Sequence, residues 1–182
     1  DYRQRIHEAP ERFSTAGPTG AYEYWVKTAN SGIIDVAISS PSAGTVEIRP
    51  LLEGGKLPEQ ELLDTVKSIV SADKVRPLTD NVTVLAPEAV AYDINLTYYV
   101  DAGTSEATVK AAVTSAIDTY RLWQKSKIGR DINPSRLIAD IMAVPGVKRV
   151  NVTSPTFKEL TATQVAQENS TISAVLGGSE DE

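Results

Sequence analysis

The stretch from Val90 to Val100 limits most strongly what this chain can fold into. Val90, Tyr92, Ile94, Leu96, Tyr98 and Val100 take every second position, with Ala91, Asp93, Asn95 and Thr97 between them. Successive side chains of a strand point to opposite faces, so such strict alternation predicts a strand with one face buried and one face wet, as in an antiparallel sheet. A sheet of this kind needs a layer to cover its apolar face. The sequence offers one directly downstream.

Thr104 or Ser105 is placed to cap a long helix with Val109, Val113, Ala116, Ile117, Tyr120 and Trp123 along its apolar stripe, and Gly129 ends the turns after it. Asn133 then reads as a cap and Pro134 as the first residue of a second helix, whose Leu137, Ile138, Ile141 and Met142 are expected to point inward until Pro145-Gly146 stops it. Val147, Val150 and Val152 give a further strand. The order strand, helix, helix, strand predicts a small α/β unit over 88–155.

A similar unit is expected over 32–87. Ile34, Val36 and Ile38 alternate with polar or small residues, and alternation resumes at Val46 and Ile48 after the loop Pro41-Ser42-Ala43-Gly44, which predicts a β-hairpin. Gly54-Gly55 breaks the second strand. Pro58 stands at a plausible first helical position, Glu59 and Glu61 suit the positive end of a helix dipole, and Leu62, Leu63, Val66, Ile69 and Val70 form a buried stripe. The loop Val75-Arg76-Pro77-Leu78-Thr79-Asp80 then leads to a short strand at Val82 and Val84.

Residues 1–31 read as a helical lead-in. Tyr2, Ile6, Ala9 and Phe13 recur at helical spacing around Pro10, and Thr19, after the turn Gly17-Pro18-Thr19-Gly20, caps a helix with Tyr22, Trp25, Val26 and Ala29 on one face. The first residue is Asp1 and not Met, which is read as the loss of an upstream segment. Residues 156–182 read as an extension with one possible strand at 171–176, able to complete a neighbour's sheet, and an unstructured acidic end. The expected class is α+β: N-terminal helices followed by two small α/β sandwich units with mixed or antiparallel sheets.

The chemistry-bearing residues do not converge on a catalytic pattern. With no Cys there is no thiolate nucleophile or thiolate zinc site, and His7 is the single histidine, in a charged helical stretch. Neither Gly17-Pro18-Thr19-Gly20 nor Gly54-Gly55-Lys56 has the spacing of a phosphate loop. The acid pairs Glu59 with Glu61 and Asp131 with Asp140 sit where solvated helix-dipole partners belong. A net charge of −6, half of it in Glu180-Asp181-Glu182, disfavours nucleic acid and anionic membranes as partners. Tyr22, Tyr24 and Trp25 lack the basic groove that base stacking needs. The expectation is no enzyme, no cofactor, no metal and no small-molecule substrate.

Several short motifs nonetheless stand out in order: Arg3-x-Arg5-Ile6, Ala16-Gly17-Pro18-Thr19-Gly20-Ala21-Tyr22, Gly44-Thr45-Val46, Val75-Arg76-Pro77-Leu78-Thr79-Asp80-Asn81-Val82-Thr83-Val84, Gly129-Arg130-Asp131-Ile132 and Val144-Pro145-Gly146-Val147-Lys148-Arg149-Val150. Together they resemble the baseplate assembly protein J family of contractile-tailed phages, from residue 1 to about 155. The resemblance is to the central and C-terminal portion of that family. It implies a wedge protein of the virion tail baseplate, made in the bacterial host cytoplasm, that works through contacts with other wedge proteins and with copies of itself in a sixfold ring.

On that reading, Gly17, Tyr22, Trp25, Arg76, Pro77, Asp80, Gly129, Arg130 and Asp131 are the candidate structural or interface residues. Arg76 and Asp80 fit a local ion pair across their loop or a contact across a subunit boundary. Two other functions remain open on sequence alone. Paired α/β units could hold a small regulatory ligand, which would require a deep apolar pocket with convergent polar groups. A tail-associated hydrolase would require a pair of acids that these residues do not present.

Overall fold

The computed structural model describes residues 19–72 and 81–181. Its described residues form four α-helices and two three-stranded sheets, an α+β architecture as the alternating and helical periods predicted. They fall into two compact units: one runs to Glu88 and includes Ser126–Ile128, and the other comprises Ala89–Lys125 and the chain from Gly129 onward. The expected helix over Tyr2–Phe13 lies outside the described residues.

In the first unit, helix α1 (Thr19–Ala29) precedes strands β1 (Ile33–Ser39) and β2 (Thr45–Leu52), a short 3-10 turn (Glu53–Gly55), helix α2 (Gln60–Val70) and strand β3 (Asn81–Val84). β1 and β2 are antiparallel, with Ile38 opposite Ile48, and β3 joins β2 in parallel, with Val82 opposite Val46. Pro50 sits in the central strand, where Pro would normally delete a ladder bond. It is tolerated because β3 pairs only with residues 45–48, which leaves one side of Pro50 free.

Helices α1 and α2 cover this sheet. Tyr22, Val26, Ile33, Ile48, Leu63, Val66, Val70, Val82 and Val84 form one apolar core. Helix α2 begins at Gln60 with Glu59 as its N-cap, so Pro58 precedes the helix instead of opening it. Thr19, expected as a cap, lies inside α1 as the first of its described residues.

In the second unit, β4 (Glu88–Asp101) is followed by α3 (Glu106–Gln124), α4 (Pro134–Met142), β5 (Val147–Ser154) and β6 (Gln164–Glu180). The even-numbered residues from Tyr92 to Val100 are buried, as the alternation required, and β4 is the central strand in the order β5-β4-β6. β5 lies antiparallel to β4, with Tyr98 opposite Val150 and Tyr99 opposite Arg149. β6 runs in the same direction as β4: Asn169 contacts Asp93, and the Ala102 amide donates to the carbonyl of Glu180. The sheet is therefore mixed.

Helices α3 and α4 cover the apolar face of this sheet, α3 over β6 and α4 over β5. The Asn133 side chain accepts from the Ser135 amide with Pro134 at the first turn, the predicted cap. Ser105 holds the N-cap position of α3, but its side chain accepts no backbone bond there; its hydroxyl oxygen instead accepts from Thr108 at 3.1 Å.

Two expectations about side-chain direction and strand length change. Leu137 and Ile141 of α4 are fully buried, but Ile138 and Met142 are 39% and 41% exposed, because α4 rests on the sheet through a face narrower than its apolar stripe. β6 extends well beyond the 171–176 expected and reaches Glu180 in the acidic end. Backbone pairing with β4 holds a sequence with little alternation of its own.

Candidate assembly surfaces

The motif Gly129-Arg130-Asp131-Ile132 joins the α3–α4 connection to the segment between β5 and β6. The Gly129 amide donates to the Gln164 carbonyl at 2.7 Å, Ile132 and Lys158 exchange two backbone bonds, and the Asp131 carboxylate accepts from the Leu160 amide at 2.9 Å. Gly129 has φ +71°, and a Cβ there would lie 3.4 Å from the Ala162 backbone, so glycine suits both its conformation and its neighbour.

Gln124, wholly buried at the end of α3, completes the tie. Its amide nitrogen donates to the Asp131 carbonyl at 2.9 Å, and its oxygen accepts from Asn133 at 3.3 Å. A buried amide is costly unless it is bonded, and here the loop backbone supplies its partners. Arg130 lies over the Trp123 ring at 4.3 Å and donates to the Trp123 carbonyl, while Arg136 approaches the same ring at 5.3 Å. Both guanidinium groups lie within cation–π range of this ring.

A second polar cluster holds β6 against α3. Glu168 accepts from Arg121 at 2.9 and 3.1 Å and from Lys125 at 2.7 Å, and Arg121 also binds Asp118. Burial pushes the Glu168 carboxyl up, but the Lys125 hydrogen bond, a backbone bond, the Lys125 charge and the Arg121 bond together hold it below the usual carboxylate range. The buried hydroxyls of Tyr92 and Tyr120, whose rings meet edge to face at 6.4 Å, are pushed up first by burial. Near neutral pH the carboxyl is therefore ionised and the two phenols neutral.

On the opposite, open face of the same sheet, Arg149 stacks over Tyr99 at 3.5 Å and forms a two-pronged pair with Glu180. The Arg149 bond, the largest cause, holds the Glu180 carboxyl down. Gly177 makes this arrangement possible, since a Cβ there would fall 2.5 Å from the Tyr99 ring.

The first unit carries an open cleft of about 430 Å³ between the end of α1, the end of β2 and the start of α2. Leu52 and Leu62 line it, but Lys56, Leu57, Glu59 and Glu61 at its rim are all exposed. It does not enclose a ligand in the way a small-molecule pocket does. Tyr22 is buried in the core of this unit, and Trp25 packs beside it edge to face with Tyr24 at 5.5 Å. Gly17, Arg76, Pro77 and Asp80 lie outside the described residues.

Comparison with known proteins identifies the chain. Residues 14–86 match the model of the Baseplate J-like central domain, and residues 92–173 that of the Baseplate J-like protein C-terminal domain. Baseplate protein J of Escherichia phage P2 is 33% identical over 182 residues, all of this chain and 60% of that protein. The chain belongs to the baseplate J family. It spans less than two thirds of the P2 relative's length.

The baseplate J fold also appears in a chain of the cryo-EM structure of the anti-feeding prophage baseplate, sixfold symmetrised. That likeness has a TM-score of 0.63 at 16% identity and covers 93% of this chain and 42% of the other. Within the family frame, Tyr22 and Trp25 belong to the central-domain match, and Gly129, Arg130 and Asp131 to the C-terminal match. The Glu168 cluster escaped the sequence reading because Arg121 and Lys125 stand 47 and 43 residues away from it, with no motif to link them.

Proposed function

We propose that this baseplate J chain is a structural component of a contractile tail baseplate, acting as a wedge protein through protein–protein contacts and not as an enzyme. The observation that carries the reading is the similarity to phage P2 baseplate protein J along the whole chain. The side chains agree with it. Glu168, whose side chain is only 7% exposed, is neutralised by two cations, and the Gly129–Asp131 motif is spent on joining loops. Its place of work is the virion tail baseplate, with other wedge proteins and further copies of itself, in a sixfold ring, as partners.

Light scattering on size-exclusion fractions of the chain mixed with wedge proteins of the same particle is expected to show co-elution. A chain that elutes alone beside every baseplate protein overturns the scaffold reading. In a peptidoglycan-release assay no activity is expected; release that disappears on replacing a carboxylate would make the chain a hydrolase.

A further inference from the structure

Glu168 uses its two carboxylate oxygens unequally. Oε1 accepts every bond from the cations, two from Arg121 and one from Lys125, while Oε2 is buried with no partner among the described residues. The hydroxyls of Tyr92 and Tyr120 are buried and unpartnered in the same way. Tyr92 is 6% exposed and Tyr120 wholly enclosed. A buried polar atom without a hydrogen bond is expensive, and native interiors contain few.

The fold brings these three atoms to one place. β4 and β6 run in the same direction, and on the open face of their sheet Asn169 bonds Asp93 at 2.7 Å. The preceding residue of each strand points the opposite way, so Tyr92 and Glu168 stand side by side on the face that α3 covers. From α3, Tyr120 sets its ring edge to face on Tyr92 at 6.4 Å, and the next residue, Arg121, is bonded to Glu168. The Tyr92 hydroxyl is pushed up by burial first and then by the charges of Tyr120 and Glu168, which act at close quarters.

Charge and bonding capacity decide what this place can hold. Arg121 and Lys125 would repel a cation, and the Glu168 carboxylate would repel an anion. The phenols are protonated near neutral pH, so each has an O–H to donate, whereas Oε2 can only accept. A neutral group that accepts two bonds and donates one satisfies all three atoms, and three bonds is the usual number for a buried water. We propose that Glu168 Oε2 and the hydroxyls of Tyr92 and Tyr120 form a binding site for one internal water molecule. The carboxylate is then held on both oxygens, by cations at Oε1 and by water at Oε2, and β4, α3 and β6 share one polar centre.

A crystal structure of the unsubstituted chain tests the site directly. The expected result is a single water within about 3.2 Å of Oε2 and of both phenol oxygens. A direct bond from Tyr92 to Oε2 overturns the proposal, as does a water that reaches fewer than three of these atoms, or a metal ion in that place.

Urea titration gives an independent reading. Tyr92→Phe keeps the ring and removes one donor, and should raise the unfolding equilibrium constant roughly two- to tenfold; Tyr120→Phe should do the same. In Y92F/Y120F the combined loss should be smaller than the product of the single losses, because both hydroxyls act through the same water. Losses that simply multiply assign the hydroxyls to separate partners and overturn the site. A hydroxyl bonded to nothing is removed without loss, so stability unchanged or improved by either single substitution overturns it as well.

Discussion

Glu168 shows how a single residue can hold an edge strand. Its side chain is almost buried, and both cations that bind it come from the C-terminal end of α3, so removing the carboxylate takes from Lys125 its 2.7 Å partner and leaves Arg121 with Asp118. Glu168→Gln should lower unfolding free energy by about 2 kcal/mol in urea titrations, since a charged hydrogen bond contributes more than a neutral one and the cations remain. The pH sign follows from the depressed carboxyl. The stabilisation is complete above the ordinary glutamate value of about 4.3 and drains as pH falls through the lower folded value. Glu168→Gln should therefore flatten the acid limb of a stability profile; an unchanged limb would place the acid sensitivity elsewhere. Gly177 is the converse case, where the absence of a side chain matters. Gly177→Val would drive into the Tyr99 ring and should cost about 1–3 kcal/mol by the same titration. Sequence reading found the Asn133-Pro134 cap because capping is local. It could not find Glu168, which meets Arg121 and Lys125 only where α3 packs on β6, or Gly177, which meets Tyr99 only through the pairing of β4 with β6.

At the level of elements, the buried face of β4 from Tyr92 to Val100 was legible because a half-buried strand imposes a period of two on its own sequence, although the strand itself runs from Glu88 to Asp101. β6 was not. As an edge strand it is half polar and carries Gly177-Gly178, so its length comes from its partner and not from its pattern. α4 falls between these cases: the sequence correctly made it a helix, but its apolar stripe is wider than the face that the sheet can bury. That excess separates neighbours sharply. Leu137→Ala should cost about 2–5 kcal/mol, while Ile138→Ala should change the stability of the monomer by less than about 0.5 kcal/mol. Thermal or urea unfolding at low protein concentration measures both, and a large loss at Ile138 would mean that the exposed flank is part of the core after all.

Over the whole molecule, the net charge of −6 acts against any contact between copies of this chain. Two such copies repel at low ionic strength, whatever patch they share, because the Debye length then reaches about 30 Å at 0.01 M salt. Exposed apolar groups such as Ile138 and Met142 could contribute to such a contact only through burial, which charge does not assist. Added salt should therefore tighten any apolar contact between copies as repulsion is screened, and its apparent dissociation constant in sedimentation equilibrium should fall between low and physiological salt. A contact built on complementary patches, such as the acidic rim of Glu59 and Glu61 against the Arg130 and Arg136 pair, would respond with the opposite sign. The direction of the salt effect thus tells an apolar contact from an electrostatic one. An isologous seam also joins copies only in pairs, so a ring built with it must use a second, different surface to close.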